Sequence, residues 1–565
     1  MIDRRKMLQG FLATASLSTL IVSVGASVGA QSVAAAGKAS GRYANLPPPD
    51  RDQGMGETDA SGFVQNLPLR DHGAKQVWVN TDTGSPSFNG LSPYPGYQMN
   101  GAGPNYQIGA TGPGAPNGVF GPKGTYTDAM NSVYPTVRGG EGNQFFFAEG
   151  QVFIIDKLRS GGMYYHGMGA TYPACFQSYD LQDPLNVTKH GRAGTGSQGA
   201  RPIWKLGTGT WPGNGRGDAV EYGGWVFRGL EWVSTGNGQA SQWVYCQNDM
   251  LFEGMVFNNV ELVLENTNPH PGFTTSSNNI VRLCASYGQY DTGGSHMCGI
   301  FSGNINLTIE DCVFWHCGWK VGVSRDTPVS AGGPDIFKHC LYLHGGLGTT
   351  SLVRRNVLID GSASGLSLRG SHICHHNVII DCPTPDFKGG GSGSDLESPN
   401  GVSQRAYCQL VIGGADIASN QPRMQGFSSS DGTVDSYYAY SLYANSPGYG
   451  KVNNQWLAVN NSIKAQITHM NFSHNRAYAF APPTKTLLKS ARAAGELASI
   501  MVIDDDNLSS STSPMTNNQL YDKVGYPSKQ AMITAMIADP SQGWAYRLLA
   551  AAATGFNFSF NYTMP

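Results

Sequence analysis

The chain has 565 residues and a formal net charge of −2, with 74 glycines and only 13% charged residues. About 25% charged residues is normal for a soluble protein, so the composition argues against a long coiled coil and against a strongly basic nucleic-acid-binding protein. A hydrophobic fraction of 40% excludes a largely disordered chain, and the glycines follow no three-residue period, which excludes collagen. A large, turn-rich protein built mainly of β-structure remains.

The first thirty residues have the layout of an export signal. A basic start at residues 3–6 is followed by an apolar run to about Val28, and residues 28–30 resemble a small-x-small cleavage site. The paired arginines resemble the twin-arginine motif, with a Sec signal or an uncleaved anchor as alternatives. We expect residues 1–30 to be removed on export to the bacterial periplasm or exterior. No later run approaches 18 apolar residues, so no membrane span is expected after signal removal.

The segment after the signal is predicted to be irregular, and regular elements follow it. Residues 31–118 are rich in glycine, proline, asparagine and serine, around a first strand at 76–80. A short helix is predicted over 126–133. Two short strands around a glycine-containing turn are predicted at 145–148 and 151–155.

A repeat between residues 299 and 382 is the strongest structural signal. Four-residue segments beginning at 321, 341 and 366 form one series, spaced by 20 and 25 residues. A second series begins at 311, 355 and 376, and its last two members are 21 residues apart. A period of about 20–25 residues with several short strands indicates a β-solenoid, in which alternate side chains of each coil face inward. A β-sandwich or propeller is the structural alternative.

Asparagine and glycine mark the expected corners of this solenoid. Asn356 and Asn377 each precede an aliphatic run, and an asparagine at a fixed corner can bond to its neighbour in the next coil. The pattern resembles the right-handed parallel β-helix proteins of the pectate-lyase-like superfamily over residues 119–480. Residues 120–123 and 147–150 also look like the opening of such proteins. The resemblance implies an all-β fold, a single-stranded right-handed parallel β-helix whose open first coil needs an N-terminal cap.

The C-terminal segment, residues 481–565, differs from the repeat. Helical spacing predicts helices over 528–538 and 543–553, separated by a break at Pro540, and another over 485–497. We expect a helical tail that folds back over the solenoid or caps its end.

The ten cysteines carry no metal or redox motif. No C-x-x-C pair occurs, and most cysteines lie within apolar, strand-like runs. We expect buried thiols in a stacked core, with one or two disulfides in addition.

Familiar catalytic motifs are absent, so the candidate site rests on strand alternation. No G-x-S-x-G, H-E-x-x-H or phosphate-binding loop occurs, and the acidic run at 504–506 is expected to be a solvated loop. If the leucines of the first series face inward, Tyr342 and His344 face outward, and Ser324, His344 and Arg369 form one exposed column. A second outward column is predicted to contain Glu310, Arg354 and His375, with Asp311, Arg355 and His376 beside it.

A local resemblance suggests which reaction the outward-facing residues could carry out. Residues 356–377 resemble the Asn…Gly…Arg-His-Gly…Asn stretch of chondroitinase B-type and alginate lyases, whose arginine acts in β-elimination and matches Arg369. The lysine of those lyases falls here on 349–351, which contains no lysine, and Lys338 is the nearest upstream candidate. The histidine beside the arginine is represented by His372. The resemblance also implies calcium, which such lyases often use to bind the substrate carboxylate.

Together, the columns and the resemblance predict a site for an anionic sugar. The predicted catalytic residues are Arg369, Lys338, His344 and Tyr342. The predicted substrate-binding residues are Arg325, Arg354, Arg355, His372 and His375. Arginine can clamp a carboxylate, and histidine and tyrosine can move protons.

The leading functional hypothesis is a secreted lyase that cleaves an acidic, uronate-containing exopolysaccharide by β-elimination. A β-helical glycoside hydrolase or a C5-epimerase is one alternative. A non-catalytic carbohydrate-binding or adhesion protein is another. No nucleic-acid partner is expected, and the oligomeric state stays open.

Overall fold

The computed structural model describes a set of segments that includes most of the predicted repeat. The chain divides into two units, and the first, residues 1–51 and 56–65, lies outside the described segments. The described residues are 76–84, 97–100, 105–108, 123–133, 144–155, 174–182, 201–206, 223–234, 241–244, 248–265, 277–292, 297–303, 305–324, 327–335, 338–344, 349–382, 387–390, 402–413, 440–443, 467–473, 475–479, 501–503, 519–521 and 526–555.

Three parallel sheets, with strands numbered in chain order, form the body of the protein. Sheet 1 contains β1 (Gln76–Val79), β4 (Gln144–Ala148), β6 (Ala174–Tyr179), β8 (Gly223–Arg228), β11 (Asn248–Glu253), β14 (Ser277–Arg282), β17 (Leu307–Glu310), β20 (Thr350–Arg354), β23 (Ser371–His375), β26 (Val402–Tyr407) and β29 (Ile467–Ser473). Sheet 2 contains β10 (Ser241–Val244), β13 (Glu261–Glu265), β16 (Ile300–Gly303), β19 (Leu341–His344), β22 (Leu366–Arg369), β25 (Phe387–Gly390), β28 (Tyr440–Tyr443) and β31 (Met501–Ile503). Sheet 3 contains β5 (Val152–Ile155), β7 (Ile203–Leu206), β9 (Glu231–Ser234), β12 (Val256–Asn258), β15 (Ala285–Tyr287), β18 (Val313–Trp315), β21 (Val357–Ile359), β24 (Val378–Ile380), β27 (Leu410–Gly413), β30 (Arg476–Ala479) and β32 (Gln519–Tyr521).

The strand order within the sheets identifies the architecture. From β10 to β31 the chain visits sheet 2, sheet 1 and sheet 3 in turn, and strands pair in parallel with the strand one coil later. This is a parallel β-helix, as the sequence predicts. A separate antiparallel pair is formed by β2 (Tyr97–Asn100) and β3 (Asn105–Ile108).

The interior is filled by columns of identical or similar side chains, because every second residue of each strand points inward. In sheet 1 the rings of Phe145, Phe176, Phe227 and Phe252 stack with successive centroid separations of 4.9, 5.1 and 5.2 Å. Trp204 and Trp232 of sheet 3 stack at 6.2 Å. Such offset stacks add to the stabilisation that burial alone provides.

The corners between sheets 1 and 3 contain the predicted asparagine ladder. Asn377 Oδ1 accepts hydrogen bonds from the backbone N–H of Asn356 at 2.9 Å and from Asn356 Nδ2 at 3.0 Å. Asn377 Nδ2 donates to Gln409 Oε1 at 3.0 Å, and the Gln409 N–H donates to Asn475 Oδ1 at 2.9 Å. The residues before Asn356, Asn377 and Gln409 have a left-handed backbone, with φ of 55° at Arg355. The second repeat series is therefore confirmed as a column of corners leading into sheet 3.

The first repeat series is only partly confirmed. The segments beginning at 341 and 366 are adjacent strands of sheet 2, but residues 321–324 form a turn, and Val321 is 44% exposed. On the side away from β22, the strand that pairs with β19 is β16, residues 300–303. Apolar and other residues alternate over 321–324 as they would in a strand, but Gly322 has φ of 88°, which is typical of a turn.

The N-terminal helix is confirmed as α1 (Tyr126–Val133). The Asp128 N–H donates to Thr125 Oγ1 at 3.1 Å near the start of this helix. The Tyr126 ring packs against Phe147 and Trp204 of the first coils, with centroid separations of 6.3 and 5.4 Å. The helix thereby covers the inward residues at the open end, where the sequence places a cap.

The β-helix is longer than the predicted range of 119–480. β1 pairs with β4 in sheet 1, and β31 and β32 extend sheets 2 and 3 beyond residue 480. The repeat is harder to recognise in the sequence where long insertions separate the strands, and for this reason the outer coils were not included in the predicted range.

The C-terminal tail packs back onto the solenoid, as predicted. It contains α2 (Lys529–Ala538), a 3-10 turn at Pro540–Gln542, and α3 (Trp544–Gly555). The side chain of Ser528 caps α2 by accepting from the Ala531 N–H. Apolar residues of both helices cover the outer face of sheet 3 around Val357 and Val378. The predicted helix at 485–497 lies outside the described residues.

The described cysteines form no disulfides, in agreement with the interpretation as buried thiols. Eight of the nine described cysteines are buried, and Cys246 lies outside the described residues. Burial raises the pKa of Cys298, Cys312 and Cys340, which keeps these thiols protonated. In the described part of the chain, no helix has the length and apolar character needed to cross a membrane.

Candidate functional site

The outer face of sheet 2 brings together three of the four predicted catalytic residues. Tyr342 of β19 is the register partner of Phe301 in β16, and His344 of β19 is the register partner of Arg369 in β22. All four side chains point away from the interior because their strand neighbours lie in the core. We call Phe301, Tyr342, His344 and Arg369 the outer cluster. Ser324, which was predicted to share this column, lies in the turn described above.

Aromatic contacts fix the geometry of the outer cluster. The guanidinium carbon of Arg369 lies 5.0 Å from the ring centroid of Tyr342. The His344 ring meets the Tyr342 ring edge-on at 4.5 Å, and Phe301 lies 5.4 Å from His344. A cation over an aromatic face is attracted by the ring quadrupole, so Tyr342 helps to hold the Arg369 guanidinium in place. The cluster combines a fixed cation with two side chains that can exchange protons.

His339 lies beside the outer cluster and is only 5% exposed, in agreement with the expectation from the sequence that it is a packed histidine. Its ring lies 4.9 Å from the Tyr342 ring. The Ser364 N–H donates to His339 Nδ1 at 3.1 Å, so Nδ1 is an acceptor and a neutral ring carries its proton on Nε2. Only its contact with Tyr342 does not follow from strand alternation, because the chain turns a corner at Cys340, where two successive residues face the core.

Lys338, the fourth predicted catalytic residue, is separated from the surface. Its side chain is fully buried, and Nζ forms an ion pair with Asp291 Oδ1 at 2.6 Å and a hydrogen bond to the Asp291 carbonyl at 3.1 Å. An ammonium group held in this way does not reach a substrate on the outer face. We therefore leave Lys338 out of the proposed site.

The outer face of sheet 1 contains the second predicted column, and its arginines are bound to acids. Arg354 Nε lies 2.7 Å from Glu310, and Arg355 Nη2 lies 3.0 Å from Glu310 and 2.7 Å from Asp311. Neither arginine is more than 6% exposed. The column continues with alternating charge through earlier coils, in the order Arg228, Glu253, Arg282, Glu310. These contacts make Arg354 and Arg355 members of an ion-pair ladder on a different sheet from Arg369.

The charge of Glu310 is stabilised by this ladder. Burial alone would raise the pKa of Glu310, but the nearby guanidinium groups of Arg355, Arg354 and Arg282 outweigh it and lower the pKa to about 2. Glu310 is therefore a permanent anion near neutral pH and is unsuited to act as a general acid.

The predicted histidines of β23 occupy two different environments. His372 faces the interior, 2% exposed, and burial lowers its pKa to about 4. Strand alternation explains this, because Cys374, two residues later, is a core residue. His375 faces outward but is fully buried, with its ring stacked on Tyr407 at 5.0 Å and its Nδ1 3.1 Å from His376 Nδ1. Neither histidine shares the outer cluster.

Because both histidines have lowered pKa values, we expect the protein to lose stability in acid. Burial, with His376, Arg354 and Arg355 nearby, lowers the pKa of His375 to about 3, against about 6.5 in an unfolded chain. Between these values the unfolded state binds more protons, so the free energy of unfolding falls as the pH drops from about 6.5 towards 3. We expect His375→Gln to reduce this fall, measured by urea unfolding at pH 7 and pH 4. An unchanged pH dependence in the variant would contradict the assignment.

Arg325, a predicted substrate-binding residue, lies outside the described residues.

The described residues assemble no metal site. Within the described segments, no group of three or more His, Cys, Asp or Glu side chains comes together in a way that could hold a metal ion. Acidic side chains of these coils are paired with basic groups, for example Glu253 with Arg228 at 3.0 Å and Asp360 with His316 at 2.8 Å. These residues do not fit a calcium site, and we derive no step through calcium.

Comparison with known proteins gives likenesses at the level of the fold. No family model and no curated protein matches the sequence. Among solved structures, a rhamnogalacturonan lyase is similar with 11% identity and a TM-score of 0.34, over 62% of this chain and 84% of that one. The Dettilon tailspike protein has 10% identity and a TM-score of 0.28, covering 68% and 65% of the two chains. A GH136 lacto-N-biosidase from Eubacterium ramulus has 10% identity and a TM-score of 0.22, covering 79% and 68%.

Proposed function

We propose that this protein is a carbohydrate-active enzyme that cleaves an acidic, uronate-containing polysaccharide by β-elimination, and that it acts after export from the cell. The observation that carries the proposal is the position of the Arg369 guanidinium over the Tyr342 ring, with His344 beside both. The proposed site is the outer cluster on sheet 2. Arg354, Arg355, His372 and His375 are assigned to the structure of the β-helix instead.

Arg369 is the group suited to bind the substrate carboxylate. Its two N–H edges can pair with both carboxylate oxygens, and this pairing neutralises the charge that otherwise opposes loss of the C5 proton. As the C5–H bond breaks, negative charge develops on the carboxylate. A cation already fixed in place stabilises this charge without reorganisation.

Tyr342 and His344 are suited to the proton transfers. One of them takes the C5 proton, and the electrons of the C5–H bond form the C4–C5 double bond. The C4–O bond then breaks, and the departing oxygen receives a proton from the other residue or from water. Both side chains lie next to the arginine, so the three groups surround one position proposed for the uronate, although Tyr342 is only 4% exposed.

An assay on a panel of acidic polysaccharides tests the proposal. The panel includes pectate, alginate, chondroitin sulfate, hyaluronan and rhamnogalacturonan, and ultraviolet absorbance of the unsaturated uronate is followed together with reducing ends. We expect both signals to rise in parallel on at least one substrate.

Each other result favours one of the alternatives. Reducing ends without absorbance support a hydrolase, and exchange of the C5 hydrogen with solvent without cleavage supports an epimerase. Binding without either supports a carbohydrate-binding protein. Each of these three results would contradict the lyase proposal.

A further inference from the structure

Ser367 lies within the outer face of sheet 2 and points the same way as the outer cluster. It is the register partner of Tyr342 in β19, and it lies two residues before Arg369 in β22. Its strand neighbours Leu366 and Leu368 belong to the core, so the Ser367 side chain faces outward. Ser367 is nevertheless only 1% exposed.

The hydroxyl of Ser367 has no hydrogen-bond partner among the residues that the structure describes. A buried hydroxyl without a partner destabilises a folded protein, since it has lost its hydrogen bonds to water. Buried polar groups in native proteins are nearly always satisfied, so an exception beside a candidate site needs an explanation, and a bound ligand that supplies the missing bond is one.

We propose that Ser367 is a substrate-binding residue whose hydroxyl bonds to a polar group of the uronate held by Arg369. For the identity of the ligand this inference rests on the proposed function. Alternate residues of one strand are about 6.6 Å apart, and neighbouring coils are about 4.8 Å apart. Ser367 therefore lies one register position from Tyr342 and two residues from Arg369, the groups proposed to meet the same sugar.

The chain contains a matched control at Ser302. This residue lies in the same sheet, its side chain is fully buried, and its hydroxyl also lacks a hydrogen-bond partner within the described segments. Its register partners are the core residues Leu264 and Leu343, so Ser302 faces the interior. Ser302→Ala removes the same kind of group without touching the outer face.

Calorimetric titration of both variants tests the inference. The probes are oligogalacturonate, oligoalginate and hyaluronan oligosaccharides, and the one that binds the unaltered protein most tightly is used. We expect Ser367→Ala to raise Kd about three- to tenfold, the loss of one hydrogen bond, and Ser302→Ala to leave Kd unchanged. Neither variant should have a lower Tm than the unaltered protein, because each removes an unsatisfied hydroxyl.

The results separate this inference from the proposed function. Weaker binding by Ser367→Ala in a protein that forms no unsaturated product supports Ser367 and contradicts the lyase. Normal binding by Ser367→Ala in an active lyase overturns the role of Ser367. A lowered Tm in that variant, or no binding of any probe by the unaltered protein, overturns it as well.

Discussion

Replacing Lys338 by methionine is expected to lower the free energy of unfolding by about 3–5 kcal/mol. Lys338 and Asp291 are 0% and 1% exposed, and their ion pair measures 2.6 Å. Removing the ammonium leaves the Asp291 carboxylate buried without its cation, and an uncompensated buried charge is strongly destabilising. Urea unfolding followed by circular dichroism measures the effect.

A double variant separates the ion pair from other effects of the substitution. Lys338→Met combined with Asp291→Leu removes both charges and retains apolar volume, so most of the lost stability should return. Equal instability in the single and double variants would contradict this explanation. A stable Lys338→Met variant that has lost only activity would restore Lys338 as a catalytic candidate.

Replacing Arg369 by alanine is expected to lower kcat for β-elimination by about 10²–10³-fold, with little change in Tm. The substitution removes the cation that stabilises charge in the transition state, and this effect is larger than a loss of substrate affinity alone. Arg369→Lys should be intermediate, because lysine keeps the charge but cannot pair with both carboxylate oxygens. Rates of unsaturated-uronate formation by the three proteins provide the test.

Lys320 offers a control outside the outer cluster. It is exposed, and its Nζ lies 5.8 Å from the ring centroid of Tyr290, so it forms a similar cation–aromatic pair. Lys320→Ala should retain full activity. Equal losses in Lys320→Ala and Arg369→Ala would indicate a nonspecific effect of surface charge, and full activity of Arg369→Ala would exclude the outer cluster as the site.

The parallel β-helix could be predicted because the same residue types recur at the same position of successive coils. Asn356 and Asn377 recur at the same corner, and the ladder between their side chains requires that recurrence. The segment at 321–324 was wrongly predicted as a strand, because a four-residue alternation does not distinguish a strand from a turn. Only coil-to-coil register shows that residues 300–303 occupy that place.

The direction of the candidate side chains was predictable where alternation continues along a strand and unpredictable where it does not. Tyr342, His344 and Arg369 meet as expected because each lies inside a regular strand. Lys338 and His339 precede a strand, where a corner changes the direction of the side chains. The pairing of Lys338 with Asp291 joins segments 47 residues apart, and no sequence period links them.

The mass of the reaction products tests the central claim most directly. Mass spectrometry of oligosaccharides released from the acidic polysaccharide panel distinguishes elimination from hydrolysis, because elimination adds no water across the broken bond. We predict new non-reducing ends that are one water lighter than hydrolysis products, and we predict that Arg369→Ala forms them far more slowly. Products that carry the full mass of an added water would contradict the account.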